Sequence, residues 1–99
     1  FAGYVLITSI DRINGHAVFG INISKLFQGK GVGAIAMKHV HHFCKDNLSL
    51  RKLVLYVRED NQRAISLYKR LGYKPVGSLL NHIKLNESYI ANNVMEVFL

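Results

Sequence analysis

The stretch Gln28-Gly29-Lys30-Gly31-Val32-Gly33 constrains this chain more than any other. Alternating glycines free the backbone for positive φ and leave no Cβ between the chain and whatever approaches it. Immediately beyond, Val32, Ile35, Ala36, Val40 and Phe43 recur at helical spacing, which predicts a helix to about Asp46. A helix opened in this way presents unpaired N–H groups and a partial positive charge at its first turn, and Lys30 adds a full charge. Together these parts make a cradle for a pyrophosphate. A Walker A loop is excluded, because no Lys-Ser or Lys-Thr pair occurs in the chain. A dinucleotide fingerprint read from Gly31-x-Gly33-x-x-Ala36 fits poorly, since Ser24 to Phe27 separate it from the preceding strand. A plain helix-opening turn is the simplest alternative for the motif taken alone.

The flanking sequence predicts the frame around this turn. Phe1 to Ile10 is β-branched and aromatic and reads as a strand. Asn14-Gly15 is a hairpin signal, because both central positions of a type I′ turn need positive φ. His16 to Ile23 is the returning strand, in which Gly20 marks a bulge or a close backbone approach. Leu53 to Val57 is nearly all apolar and is expected to be buried on both faces. Asn61 is the N-cap of a second helix with Ala64, Leu67, Tyr68 and Leu71 along its apolar stripe, and Gly72 is its C′ glycine. Strands over about Lys74 to His82 and about Tyr89 to Leu99 close the chain. The predicted order is β-β-α-β-α-β-β, an α/β (α+β) fold with helices packed on a mixed central sheet, in a single domain over residues 1–99.

Composition narrows the class. With 13 Lys+Arg against 6 Asp+Glu the net charge is +7, which raises nucleic acid, phosphate and acidic ligands as partners. Basic residues are spread along the chain and never run longer than two, so no specific nucleic-acid role is expected. The 49% apolar content argues against disorder. A lone Cys44 cannot form an internal disulfide, which favours a reducing compartment and predicts a cytoplasmic protein. Neither an 18-residue apolar run nor a basic segment ahead of an apolar one occurs, so no membrane partner is expected. Phe1 is not an initiator methionine, and the chain reads as the C-terminal portion of a longer protein.

Two motifs then combine. Gln28-x-x-Gly31-x-Gly33 follows a strand and opens a helix; after one more strand come Asn61-x-x-Ala64-x-x-Leu67-Tyr68 and Leu71-Gly72-Tyr73. This combination resembles the GNAT superfamily of acetyl-CoA-dependent N-acetyltransferases, over essentially the whole chain. The tail, Gly72 to His82 followed by Asn86 to Tyr89 and Met95, resembles the branch acting on amino sugars, polyamines and protein N-termini. Val76 and Asn81 depart from that pattern, standing near positions often acidic or basic there. The resemblance also implies that the family's N-terminal strand and two helices are missing upstream of Phe1.

What the resemblance implies about chemistry can be carried over residue by residue. Acetyl-CoA would be the cofactor, its pyrophosphate on Gln28, Gly29, Lys30, Gly31, Val32 and Gly33, its pantetheine arm along Ile21, Asn22 and Ile23, with Asn61 and Ala64 as further contacts. Asn61 serves equally well as an ordinary N-cap. The thioester oxygen would sit where the strands ending at Ile23 and Val57 splay. Tyr68 would protonate the leaving thiolate, although its place on the apolar stripe gives it a packing role as well. The implied reaction is direct attack by a primary amine, from a small molecule or a protein N-terminus. A non-catalytic acyl-CoA-binding or regulatory module of the same fold is the alternative.

The base is unassigned. Val18 and Tyr56 stand where relatives often place Glu; His16, Asp11, Tyr56 through a water, and a residue outside the chain all stay open. His39 and His42 share a helix face with no Cys or carboxylate to complete a ligand set, so no metal is expected; His41 reads with them as part of a solvated face. Cys44 is expected to be buried, and His82 to make a structural hydrogen bond. Arg63, Lys69 and Arg70 read as a solvated face from which one side chain could reach the 3′-phosphate. The missing segment would leave a sheet edge bare, which leaves a homodimer open.

Overall fold

The computed structural model describes residues 3–23 and 31–99. Its elements are β1 (Gly3–Asp11), β2 (His16–Ile23), α1 (Val32–Asp46), β3 (Lys52–Arg58), α2 (Gln62–Arg70), β4 (Lys74–Leu85) and β5 (Ser88–Phe98). The strands make a five-stranded mixed sheet of order β1-β2-β3-β5-β4. The β-β-α-β-α-β-β order expected from the sequence is the order observed. By its contacts the chain divides into two compact units, Phe1–Leu53 with Phe98–Leu99, and Val54–Val97.

In the first unit, β1 and β2 pair antiparallel from Gly3↔Ile23 to Thr8↔Val18. Ala17 and Phe19 are buried on one face of β2, and α1 turns Met37 and Cys44 inward. His41 lies between those two on the helix and meets Phe19 edge-on, ring centroids 5.9 Å apart. The buried stripe of α1 is therefore Met37, His41 and Cys44, at i, i+4 and i+7, rather than the stripe anticipated from the sequence. Ile35 and Phe43 of that expected stripe stand more than half exposed, at 59% and 52%. The apolar arc of this helix is wide, and periodicity alone cannot say which part of it faces the sheet.

The hairpin turn also differs from expectation. Asn14 is absent from the residues at positive φ, and only Gly15 (φ 78°) adopts the left-handed region. The cause is Asp11, whose carboxylate accepts from the Ile13 and Asn14 N–H groups and from Asn14 Nδ2. Capture of the turn by an Asp side chain replaces the type I′ geometry. Gly15 N–H then donates to the Asp11 carbonyl at 2.8 Å, and Gly15 O accepts from Arg51 and Lys52. Gly20 pairs regularly with Leu6; the irregularity lies instead between Thr8 and Asp11, where Ser9 takes φ 50°.

In the second unit, β3 buries Leu55 and Val57 while Tyr56 is exposed, so the strand alternates rather than being buried on both faces. Helix α2 is closed at both ends by its own chain. Asn61 Oδ1 accepts from Ala64 N–H at 3.2 Å. At the other end Gly72 (φ 95°) stands at C′; its N–H reaches Lys69 O, and Tyr73 N–H reaches Tyr68 O. That pair of bonds is a Schellman motif, as the glycine position predicted. Ile65, Tyr68, Tyr73, Ala91 and Met95 are buried in this unit, each large apolar side chain contributing about 1.5–3 kcal/mol. Strands β4 and β5 form a long antiparallel hairpin with irregularities between Pro75 and Gly77 and between Leu79 and Ile83. Among the described residues no helix is long and apolar enough to cross a membrane.

Candidate active site

The glycine-rich motif is partly within view. Gln28, Gly29 and Lys30 lie outside the described residues; Gly31, Val32 and Gly33 lie inside them. Gly31 is the N-cap of α1 at φ 77°, ψ 0°, and it has no side chain to cap the helix. An L-residue with a Cβ would incur about 1–2 kcal/mol there, so the glycine is a conformational requirement. Among the described residues, a Cβ built on Gly31 would meet nothing within 4 Å. No acidic residue sits in the first turn. Among the described residues the first amides of α1 thus keep their donors and their positive end free of a carboxylate. Ile21, Asn22 and Ile23 end β2, and on one side they pair with Val5, Tyr4 and Gly3 of β1.

At the start of α2, Asn61 uses its side-chain oxygen as the cap. Among the described residues its Nδ2 has no partner, so capping leaves a donor available. Ala64, one turn on, is half-buried. Tyr68 sits one further turn along the same helix, its ring buried and tilted 58° against Tyr73 at a centroid distance of 5.8 Å. Burial pushes its phenol above the ordinary pKa, so the hydroxyl stays protonated at neutral pH. Among the described residues that hydroxyl takes no hydrogen-bond partner, and no buried side-chain oxygen or nitrogen is left unpaired. The ring is thus held in the core of this unit with its hydroxyl unmatched by any described residue. It is a donor that no described residue receives.

The remaining residues sort by place. Asp11 and His16 lie at the hairpin turn, 3.8 Å apart, and His16 is five strand residues, about 17 Å, from Ile21. Hydrogen bonds from Asn14 hold the Asp11 carboxyl below the usual range. Its lone pairs are spent on the turn. Tyr56 is exposed on β3. Asp60 is taken by a two-bond pairing with Arg58, the shorter at 2.7 Å, and Gln62 Nε2 donates to Glu59 O. His39 and His42 are exposed, whereas His41 is partly buried against Phe19 with its pKa lowered by desolvation and by His42. Among the described residues no three His, Cys, Asp or Glu side chains gather as a metal site. Cys44 is a free, buried thiol whose pKa burial raises. Lys69 and Arg70 occupy the last turn of α2, favourable for that helix end.

A helix opening on Gly31 after a hairpin strand, and a second helix carrying Asn61 and Tyr68 after another strand, define an acyltransferase class of fold. The chain belongs to the acetyltransferase (GNAT) family, whose sequence model matches residues 1–73. Spermidine N(1)-acetyltransferase of Escherichia coli (strain K12) is 35% identical over 88 residues, covering 89% of this chain and 47% of that protein. The Vibrio cholerae enzyme of the same name is 30% identical over 87 residues, covering 88% of this chain and 50% of the relative. The chain therefore spans about half the length of the curated relatives it matches. Among solved structures, spermidine N-acetyltransferase from Vibrio cholerae in complex with CoA and spermine superposes with a TM-score of 0.91 at 28% identity, covering 98% of this chain and 57% of that one. A dodecameric structure of the Vibrio cholerae enzyme gives a TM-score of 0.90 with the same coverage.

Proposed function

We propose that this chain is a single acetyltransferase domain that moves an acetyl group from acetyl-CoA to a primary amine of a small molecule, with polyamines as the favoured acceptor class. The observation that carries the reading is, among the described residues, two sets of open donors: the first turn of α1 at Gly31, Val32 and Gly33, and the Tyr68 hydroxyl. Acetyl-CoA supplies the activated acyl group and, on transfer, a thiolate leaving group. On the chain's side, the amides of α1 together with Gln28, Gly29 and Lys30 bind the diphosphate, with Ile21, Asn22 and Ile23 offering backbone to the pantetheine arm. Asn61 Nδ2 and the Ala64 surface are further contacts.

Tyr68 Oη donates to the sulfur. Burial holds its pKa above the phenol's ordinary value, which already exceeds a thiol's, so complete proton transfer to the thiolate would be uphill. Tyr68 therefore stabilises the leaving thiolate by hydrogen bonding. The proton of the amine leaves by another route, since Val18 and Tyr56 cannot act as carboxylate bases. That same lack of a carboxylate favours the second reading, an acyl-CoA-binding module without turnover. The spermidine acetyltransferase relatives support the first, and the dodecameric structure of one of them supports self-association.

Calorimetric titration with acetyl-CoA, followed by thiol release with an amine panel containing spermidine, tests both. Binding with thiol release supports transfer, binding without release supports the module, and no binding at high micromolar ligand contradicts both.

A further inference from the structure

Strand β4 carries a feature that acetyl transfer, as derived so far, leaves unused. Between the pairs Leu79↔Asn92 and Ile83↔Ile90, three residues of β4 stand against Ala91 alone. These are Leu80, Asn81 and His82, and Asn81 adopts φ 49°. A non-glycine residue in the left-handed region within a strand is costly and marks a bulge that re-aims its side chains. Leu80 is 78% exposed, and His82 is exposed beside it.

Its place in the sheet gives the bulge meaning. Glu59 N–H donates to Ala91 O at 3.0 Å, and Ala91 is the residue opposite the bulge. Glu59, which directly follows β3, therefore makes one row with Ala91 of β5 and Leu80–His82 of β4, the bulge about 10 Å from the Glu59 backbone. Asn61, the cap of the Tyr68 helix, follows Glu59 by two residues. A bulge can also serve only to blunt an edge strand, and β4 is the last strand of its sheet. That purpose calls for charge or proline, and the Pro75 irregularity already meets it. Instead the bulge presents a leucine and an imidazole.

We propose that Leu80–His82 is a contact surface for an alkylamine acceptor. Leu80 lies against its carbon chain, and a ring nitrogen of His82 accepts a hydrogen bond from one of its nitrogens. The pairing of an apolar side chain with one acceptor suits an aliphatic di- or polyamine better than an amino sugar, whose hydroxyls would face a leucine. This rests on the amine-acceptor reading above.

Steady-state kinetics of the intact protein with spermidine, at saturating acetyl-CoA, tests it. In His82→Ala and in Leu80→Ser the KM for spermidine should rise about five- to tenfold, with kcat within about twofold and acetyl-CoA affinity by calorimetry unchanged. An unmoved KM in both variants overturns the proposal, as does a loss of kcat and acetyl-CoA affinity together, which would mark a structural role. If the unsubstituted protein transfers nothing to spermidine, the amine-acceptor reading itself fails; transfer with unmoved KM defeats the bulge alone.

Discussion

The two helices begin in opposite ways. Helix α2 is sealed, with Asn61 capping Ala64 N–H at one end and Gly72 completing a Schellman motif at the other. Helix α1 opens on Gly31, which has no side chain to offer, and its first turn holds no carboxylate. The difference follows from length and task. A helix of 9 residues is well short of what holds without packing, so α2 depends on its caps and on Ile65 and Tyr68 in the core. Helix α1 has 15 residues and is anchored by Met37 and Cys44, which tolerates an uncapped end. A forgone cap costs about 1 kcal/mol, and on the proposed reading those donors serve the diphosphate. The sealed helix holds a hydroxyl still; the open one offers its backbone.

That contrast can be broken most severely at Gly31. Among the described residues a Cβ there meets nothing, so Gly31→Val should fold with a loss of about 1–2 kcal/mol from its positive φ. Calorimetry should nonetheless show acetyl-CoA affinity falling by at least about 100-fold, because the new side chain occupies the ligand's approach. Undiminished affinity would remove α1 from the site. Next in size is Tyr68→Phe, which keeps the buried ring and deletes only the donor. Turnover should drop about 100-fold while acetyl-CoA affinity holds; equal weakening of both would assign Tyr68 to binding.

Asn61→Ala sharpens the comparison from the sealed side. It should lower stability by about 1 kcal/mol, a melting shift of about 4–8 °C for a domain of this size. The corresponding change at the open end, Gly31→Ala, should show only the strain of positive φ and no cap loss. The smallest effect concerns the face that anchors α1. Burial lowers the pKa of His41, so below the ordinary histidine value near 6.5 the unfolded chain binds more protons than the folded one. Stability should then decline as the pH falls from about 6.5 toward the lowered value. His41→Gln should flatten that part of a denaturation-versus-pH profile; an unchanged slope would mean that other groups carry it.

Much of this was legible because it is local. The Asn61 cap, the Gly72 terminus and the helix following Gly33 depend on neighbours a few residues away, and all three stand where the sequence puts them. The element order was equally accessible, since strands and helices alternate with clear breakers between them. What escaped was set at a distance or by competition. Asn14-Gly15 predicts a type I′ turn, but Asp11 three residues earlier takes the turn's amides for its carboxylate. Val32, Ile35 and Phe43 look like a core stripe, yet which arc of α1 faces β2 is decided by Phe19 meeting His41. Leu53 to Val57 is apolar throughout, and only the packing shows that Tyr56 points away from the core. The β4 bulge has no signal beyond Asn81, a residue that tolerates positive φ, and nothing local demanded that it adopt it.

The account rests on backbone donors at the mouth of α1, and these are directly observable by amide-resolved nuclear magnetic resonance. Titrating the protein with coenzyme A should move the Gly31, Val32 and Gly33 amide resonances progressively to saturation, in step with the calorimetric affinity. Saturable binding that leaves those three resonances in place would contradict it.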